Sequence, residues 1–116
     1  MSQENLTSAE LIEARELKVI LRAVGDTVRL QILHHLAQRD EMNVSELVAA
    51  LRTSQPLLSW HLGVLRRLGL VSVRRQGRMV WYSLDRATLE SVWARLDAWL
   101  SRDSEQRSMS EEEEHV

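Results

Sequence analysis

Two helix-start signals stand on either side of Thr53, so close together that the chain between Asn43 and Gly69 can hold little but two short helices joined by a tight turn. Asn43-Val44-Ser45-Glu46 has the form of a capping box, an Asn cap with a Glu three residues on, and it opens a brief helix to about Arg52. After Thr53, Ser54 can cap a second helix with Pro56 in its first turn, where a missing amide hydrogen costs little, and Gly69 ends it. Leu58, Leu62, Leu65 and Leu68 form the buried stripe of that second helix, leaving Gln55, Ser59, Trp60, Gly63, Arg66 and Arg67 largely outside it. Such a pair is a readable helix-turn-helix.

The segments on either side extend this unit. Upstream, Leu17, Ile20, Leu21 and Val24 recur at helical spacing in a helix over Ser8 to Val24, with Glu10, Glu13 and Glu16 toward its start, where the helix dipole favours acids. Gly25 reads as a left-handed stop and Asp26 as the cap of a second helix, which runs to about Gln38 with the stripe Val28, Ile32, Leu33 and Leu36. The largely polar cluster Arg39 to Asn43 ends it. Downstream, Leu70 to Arg75 and Met79 to Leu84 are rich in Val, Trp and Tyr and flank a Gln76-Gly77 turn, which predicts a β-hairpin with arginines at its tip. Asp85 can cap a last helix whose Leu89, Val92, Trp93, Leu96, Trp99 and Leu100 make a large apolar face. The expected fold is mainly α with a small β-hairpin, five helices and a two-stranded wing, in one domain over residues 1–101. Residues 102–116 lack apolar periodicity and carry four consecutive glutamates, so a disordered acidic tail is expected there.

Charge points toward the partner. Between Leu47 and Leu84 stand Arg52, Arg66, Arg67, Arg74, Arg75 and Arg78 without one Asp or Glu, in a chain whose formal net charge is -2. A basic patch on the helix-turn-helix and hairpin of an acidic chain is the electrostatic footprint of duplex-DNA binding confined to one surface. The chain has no cysteine, hence no disulfide, thiolate metal site or Cys nucleophile, which fits a reducing cytoplasm. No apolar run approaches a membrane span, and the start MSQENLTSAE is polar rather than signal-like. Without a glycine-rich phosphate loop, or a nucleophile with base and orienter at a recognisable spacing, an enzyme is not expected.

The run Ser54-Gln55-Pro56-Leu57-Leu58-Ser59-Trp60-His61-Leu62, with Leu65 to Val71 and Gly77-Arg78-Met79-Val80-Trp81-Tyr82 after it, resembles the ArsR/SmtB family of winged-helix repressors. Val24 to Leu33 is similar to that family's second-helix signature, and the likeness covers roughly Leu17 to Leu100. The resemblance implies a cytoplasmic repressor, dimeric through its first and last helices, that holds an inverted-repeat operator until an inducer weakens its grip. For the dimer it points to Leu17, Leu21, Leu89, Val92, Trp93, Leu96, Trp99 and Leu100. Trp93, Trp99, Leu96 and Leu17 also admit a reading as an apolar pocket, with dimer core the preferred one.

For DNA, the resemblance implies contacts at Gln55, Ser59 and His61 on the recognition helix and at Arg75 and Arg78 on the wing, and Ser54, Leu57, Trp60 and Arg74 on the same elements are further candidates. Gln55 and Ser59 are four apart and share a face; Gln can bond a base edge bidentately, and Ser suits a base or a phosphate. His61 has two readings, a phosphate donor or a helix-packing residue, and the resemblance favours the contact. Trp60 stands where the family commonly carries a basic or polar residue, and stacking, contact with thymine methyls and plain surface cover all remain open. Arg66 and Arg67 read equally as phosphate contacts or as a solvated helix end. Three cations at one hairpin tip repel each other unless an anion is near, which strengthens Arg74, Arg75 and Arg78. The family's usual metal patterns are missing: there is no cysteine, and the last helix offers Asp85, Glu90 and Asp97 without a histidine, so neither a metal nor a cofactor is expected. His34 and His35 are adjacent and do not share a helix face. A second class of reading is a winged-helix module whose arginine face takes an acidic protein or RNA, supported by Leu57 beside Trp60.

Overall fold

The computed structural model describes residues 5–101; the tail and the first four residues lie outside them. Helix α1 (Ser8–Val24) starts at a capping box that the sequence reading passed over: Thr7 Oγ1 accepts from the Glu10 amide, and the Glu10 carboxylate accepts from the Thr7 amide. Asp26 caps α2 (Thr27–Gln38), Asn43 and Glu46 form the capping box of α3 (Val44–Leu51), and Ser54 caps α4 (Gln55–Arg67). Asp85 caps α5 (Arg86–Leu100). Each cap is a short-range bond to the third residue on, which is why local spacing located it.

Gly25 departs from expectation. Its φ is -73°, in the right-handed region, and its N–H donates to the Leu21 carbonyl at 2.8 Å. A Cβ here would lie 3.0 Å from that carbonyl oxygen, so glycine serves a close approach rather than a left-handed turn.

The expected two-stranded wing is present, and among the described residues a third, short strand joins its sheet. Met42–Asn43 forms β1, which pairs antiparallel with the second strand of the hairpin, β3 (Met79–Leu84), and β3 pairs in turn with β2 (Val71–Gln76) in the order β1-β3-β2. Gln76 pairs with Met79, so the two-residue loop is Gly77-Arg78, one residue beyond the expected turn. Gly77 has φ +60° at the first loop position, as a type II′ connection requires.

One core joins these elements. Ile32 and Leu36 from α2, Leu47 from α3, Leu58, Leu62 and Leu65 from α4, and Leu70 are all at most 1% exposed. The expected stripes of α2 and α4 thus face each other, and the helix-turn-helix is fixed to the sheet through Met42 and Val71. Among the described residues no helix is long and apolar enough to cross a membrane.

Candidate nucleic-acid interface

Helix α4 is set rigidly by its inner face, and its outer face follows. With Leu58, Leu62 and Leu65 buried, Gln55, Leu57, Ser59, Trp60, Arg66 and Arg67 are exposed. Gln55 and Ser59 stand one turn apart on this surface, with Trp60 beside them at 59% exposure. Ser54 is also exposed, but its hydroxyl accepts from the Leu57 amide at 3.3 Å, so its first task is the cap. Before it, Arg52 takes a left-handed conformation (φ 55°), which turns the chain sharply between α3 and α4.

His61 does not belong to the outer face. It is 5% exposed, and its Nδ1 accepts from Arg29 Nη1 at 3.0 Å. The same Nδ1 lies 3.8 Å from the Asp26 carboxylate, so His61 meets both members of the Asp26–Arg29 pair. Of the two readings of His61, its burial in this chain agrees with helix packing. The signal was in the sequence: Leu58, His61, Leu62 and Leu65 stand at i, i+3, i+4 and i+7, the full width of an inward face, whereas a stripe of leucines alone is too narrow.

The histidine belongs to a clamp that the sequence reading missed. Arg29, on α2, donates from Nε to the Ala23 carbonyl at 2.7 Å and from Nη1 to His61, and its Nη2 lies 4.0 Å from Asp26. Its guanidinium also stands 5.6 Å from the ring centre of Trp60, within cation–π range. The Asp26 carboxyl is held below its ordinary pKa chiefly by the hydrogen bond from the Arg29 amide, with the Arg29 guanidinium adding to it. One arginine thus ties the end of α1, the start of α2 and the middle of α4 together. Asp26 and Arg29 at i, i+3 are visible in the sequence; the third partner is 32 residues away.

On the wing the expected cationic triad divides. Arg75 and Arg78 are exposed near the tip, and their side chains have no hydrogen bond or ion pair among the described residues. Arg74 stands further down β2, opposite Trp81, and is already neutralised. It donates to Glu41 from Nη2 at 2.6 Å and from Nε at 3.1 Å, donates to Gln76 at 2.8 Å, and covers the Trp81 ring at 5.8 Å. This bidentate bond lowers the Glu41 pKa and raises that of Arg74. The anion that three crowded cations called for is, for Arg74, a side chain of the same molecule. In this structure Arg74 braces the wing against Glu41, the residue before β1, while its side chain stays half exposed.

Residues 26–73, from the cap of α2 to the first half of β2, match the family described as bacterial regulatory protein, arsR family. Over 85 residues the chain is 39% identical to the biofilm growth-associated repressor of Agrobacterium fabrum, covering 70% of this chain and 72% of that protein. The chain belongs to the ArsR family. It is likewise 39% identical over 88 residues to the transcriptional activator HlyU of Vibrio cholerae, covering 76% of this chain and 80% of that one. The crystal structure of NolR from Sinorhizobium fredii superposes with a TM-score of 0.71 at 31% identity, over 84% of this chain and 97% of the other. The protein is therefore a winged-helix transcriptional regulator of the ArsR family, and its chemistry is binding.

In this ArsR-family chain the residues expected at a dimer contact separate into three groups. Leu17 and Val92 are 3% and 6% exposed within the single chain, so they fill its own interior and are not available to a partner. Leu21, Leu89 and Leu96 are half-buried, and Leu89 packs against the core. Trp93, Trp99 and Leu100 remain open, and Leu11, Ile12 and Val19 on α1, which the sequence reading left out, are open as well. Helix α5 is held to α1 by Arg95, which bonds Glu13 and, at 2.6 Å, Glu16, and by Trp99 Nε1, which donates to the Glu10 carbonyl at 3.1 Å. The Glu13 pKa is lowered chiefly by its hydrogen bond from Arg95.

Proposed function

We propose that this regulator is a homodimeric repressor that reads an inverted-repeat operator and lets go of it in response to a non-metal signal. The observation that carries the reading is the outer face of α4, where Gln55 and Ser59 project from a helix whose other side is locked into the core. Gln55 supplies a bidentate donor and acceptor for a base edge, and Ser59 a hydroxyl for a base or phosphate. Arg75 and Arg78 on the wing reach the flanking backbone or minor groove, where charge sets affinity rather than sequence.

The exposed tryptophans of α5 with Leu11 and Ile12 of α1 supply the surface for a second copy. A twofold dimer places its recognition helices in successive major grooves, so half-site centres stand about 10 bp apart or at a multiple of that. Repression fits a dimer that occupies a promoter, and one of the relatives carries that name; the activator name of another leaves the sign of regulation to experiment. With roughly six to ten phosphate contacts, affinity falls roughly 10³- to 10⁵-fold between 50 and 200 mM salt.

The test is selection of bound duplexes from a random library by the purified protein at moderate salt, followed by sequencing. One inverted repeat is the expected result. Recovery of no motif would favour an interaction module that docks a protein or RNA on Leu57 and Trp60, and would remove Gln55 and Ser59 from the recognition surface.

A further inference from the structure

An open groove of about 650 Å³ lies between α1 and α4, capped at one end by the turn into α2. Its volume falls in the range of small-molecule sites. Val19, Ala23, Val64 and Leu68 supply an apolar floor, and the ring of Trp60 supplies one wall. Val19 and Trp60 are 58% and 59% exposed, so the groove presents apolar surface to water.

The charges around this floor do not balance. Arg22 enters from the last turn of α1, Arg67 from the last turn of α4, and Arg29 from α2, against the single carboxylate of Asp26. Asp26 and Arg29 are committed to each other and to His61, whereas the side chains of Arg22 and Arg67 have no hydrogen bond or ion pair among the described residues. Each of these two arginines sits at a helix C-terminus, which the helix dipole explains for either alone. It does not explain why cations from two separate helices flank one apolar trough with an exposed indole on its rim. That combination suits a flat apolar body bearing one anionic group, the body lying on Val64 and against Trp60, and the anion forked by guanidinium.

We propose that the groove between α1 and α4 binds a small aromatic carboxylate, with Arg22 and Arg67 holding the carboxylate and Trp60 stacking on the ring. Trp60 also stands beside Ser59 on the outer face of α4, so an occupied groove covers part of the surface assigned to DNA. Ligand and operator are then antagonistic, and by linkage each weakens the other by the same factor. This deepens the reading of the protein as a releasable repressor, and its regulatory half rests on that reading.

The experiment titrates the full-length protein with 2-naphthoate and, in parallel, with the neutral isostere 2-naphthamide, by calorimetry. Naphthoate is expected to bind about tenfold more tightly than the amide. Arg22→Gln and Arg67→Gln should each weaken it about fivefold, about 1 kcal/mol and the upper end for an exposed ion pair. Trp60→Ala should weaken both compounds, and Glu90→Gln, at an exposed position of α5 outside the groove lining, should change neither. Equal affinity for the two compounds, indifference to both arginine-to-glutamine variants, or loss on Glu90→Gln alone overturns the site. Duplex binding by the same preparations separates the two proposals: a protein that binds its operator but not naphthoate refutes the groove, and one that binds naphthoate but selects no duplex refutes the operator reading.

Discussion

Removing the Arg29 side chain tests whether the recognition helix is held by a polar clamp as well as by leucines. Arg29→Ala deletes two well-formed bonds, to the Ala23 carbonyl at 2.7 Å and to His61 at 3.0 Å, and a looser approach to Asp26 at 4.0 Å. A hydrogen bond from a charged donor contributes about 1.5–3 kcal/mol net, and the Arg29 side chain is only 12% exposed, so screening by water is limited. The Ala23 carbonyl stands near a helix end, where water can replace the lost donor, and Asp26 keeps its backbone cap. The low end of the range is therefore appropriate, giving a loss of about 3 kcal/mol. In a small domain whose whole stability is on the order of 5–15 kcal/mol this is large. With a urea slope of about 1.5 kcal/mol per molar, the midpoint falls by about 2 M.

The assay is urea unfolding followed by tryptophan fluorescence, with all variants at one protein concentration because any association links stability to concentration. A double-mutant cycle with His61→Ala isolates the contact between the two side chains, and its coupling energy should be about 1–2 kcal/mol. Arg29→Lys should recover little, since an ammonium cannot reach Ala23 and His61 in one planar fork. A loss below about 1 kcal/mol for Arg29→Ala, or a coupling below about 0.5 kcal/mol, would refute the clamp and leave His61 as ordinary filling.

Four further outcomes follow from the same geometry. Leu62→Ala, at a position 1% exposed, should cost about 3 kcal/mol in urea unfolding, whereas Leu57→Ala, 45% exposed, should cost less than about 0.5 kcal/mol. Gly77→Ala meets no atom within 4 Å yet must hold φ at +60°, so a loss of about 1 kcal/mol is expected from backbone strain alone; a neutral result would mean that the loop changes its turn type. The folded pKa of Glu13 lies below its unfolded value of about 4.3, so its bond to Arg95 stabilises the α1–α5 joint above that pH and is lost as pH falls through the folded pKa. Hydrogen exchange of α5 amides between pH 6 and pH 3 should then show an acid loosening that Glu13→Gln already displays at pH 6; identical profiles would remove the link. On a selected operator, Gln55→Ala should cost about 1–3 kcal/mol at one base position, whereas Arg78→Ala should weaken all sequences alike and reduce the salt slope by about one; equal effects on specificity would undo the division of labour between helix and wing.

Much of the fold was legible because it is written in local chemistry. The caps Asp26, Asn43, Ser54 and Asp85 each accept from an amide three residues on, a bond that depends on nothing outside one helical turn. Strand β1 escaped because two residues carry no periodicity, and Met42–Asn43 become a strand only by pairing with Tyr82 and Trp81, far along the chain. The hairpin loop was displaced by one residue for a related reason: the sequence offers the glycine, but register with the partner strand decides whether it stands first or second in the turn.

The site was less legible, and the errors share a cause. A charged or polar side chain in a basic segment carries no sign of whether its partner is a phosphate or another residue of the same chain. Arg74 finds Glu41 across 33 positions and His61 finds Arg29 across 32, distances at which spacing says nothing. What spacing does say is which face a residue occupies. His61 at i+3 from Leu58 was on the inward face by that rule, and the burial of Leu58 and Leu62 at 0% and 1% leaves it nowhere else to go. Gln55 and Ser59 pass the same test in the other direction. A polar residue of α4 that fails it braces the helix, and one that passes it is free to read DNA; by this criterion Trp60, exposed beside Ser59 yet stacked on the Arg29 that holds His61, stands at the join between the two roles.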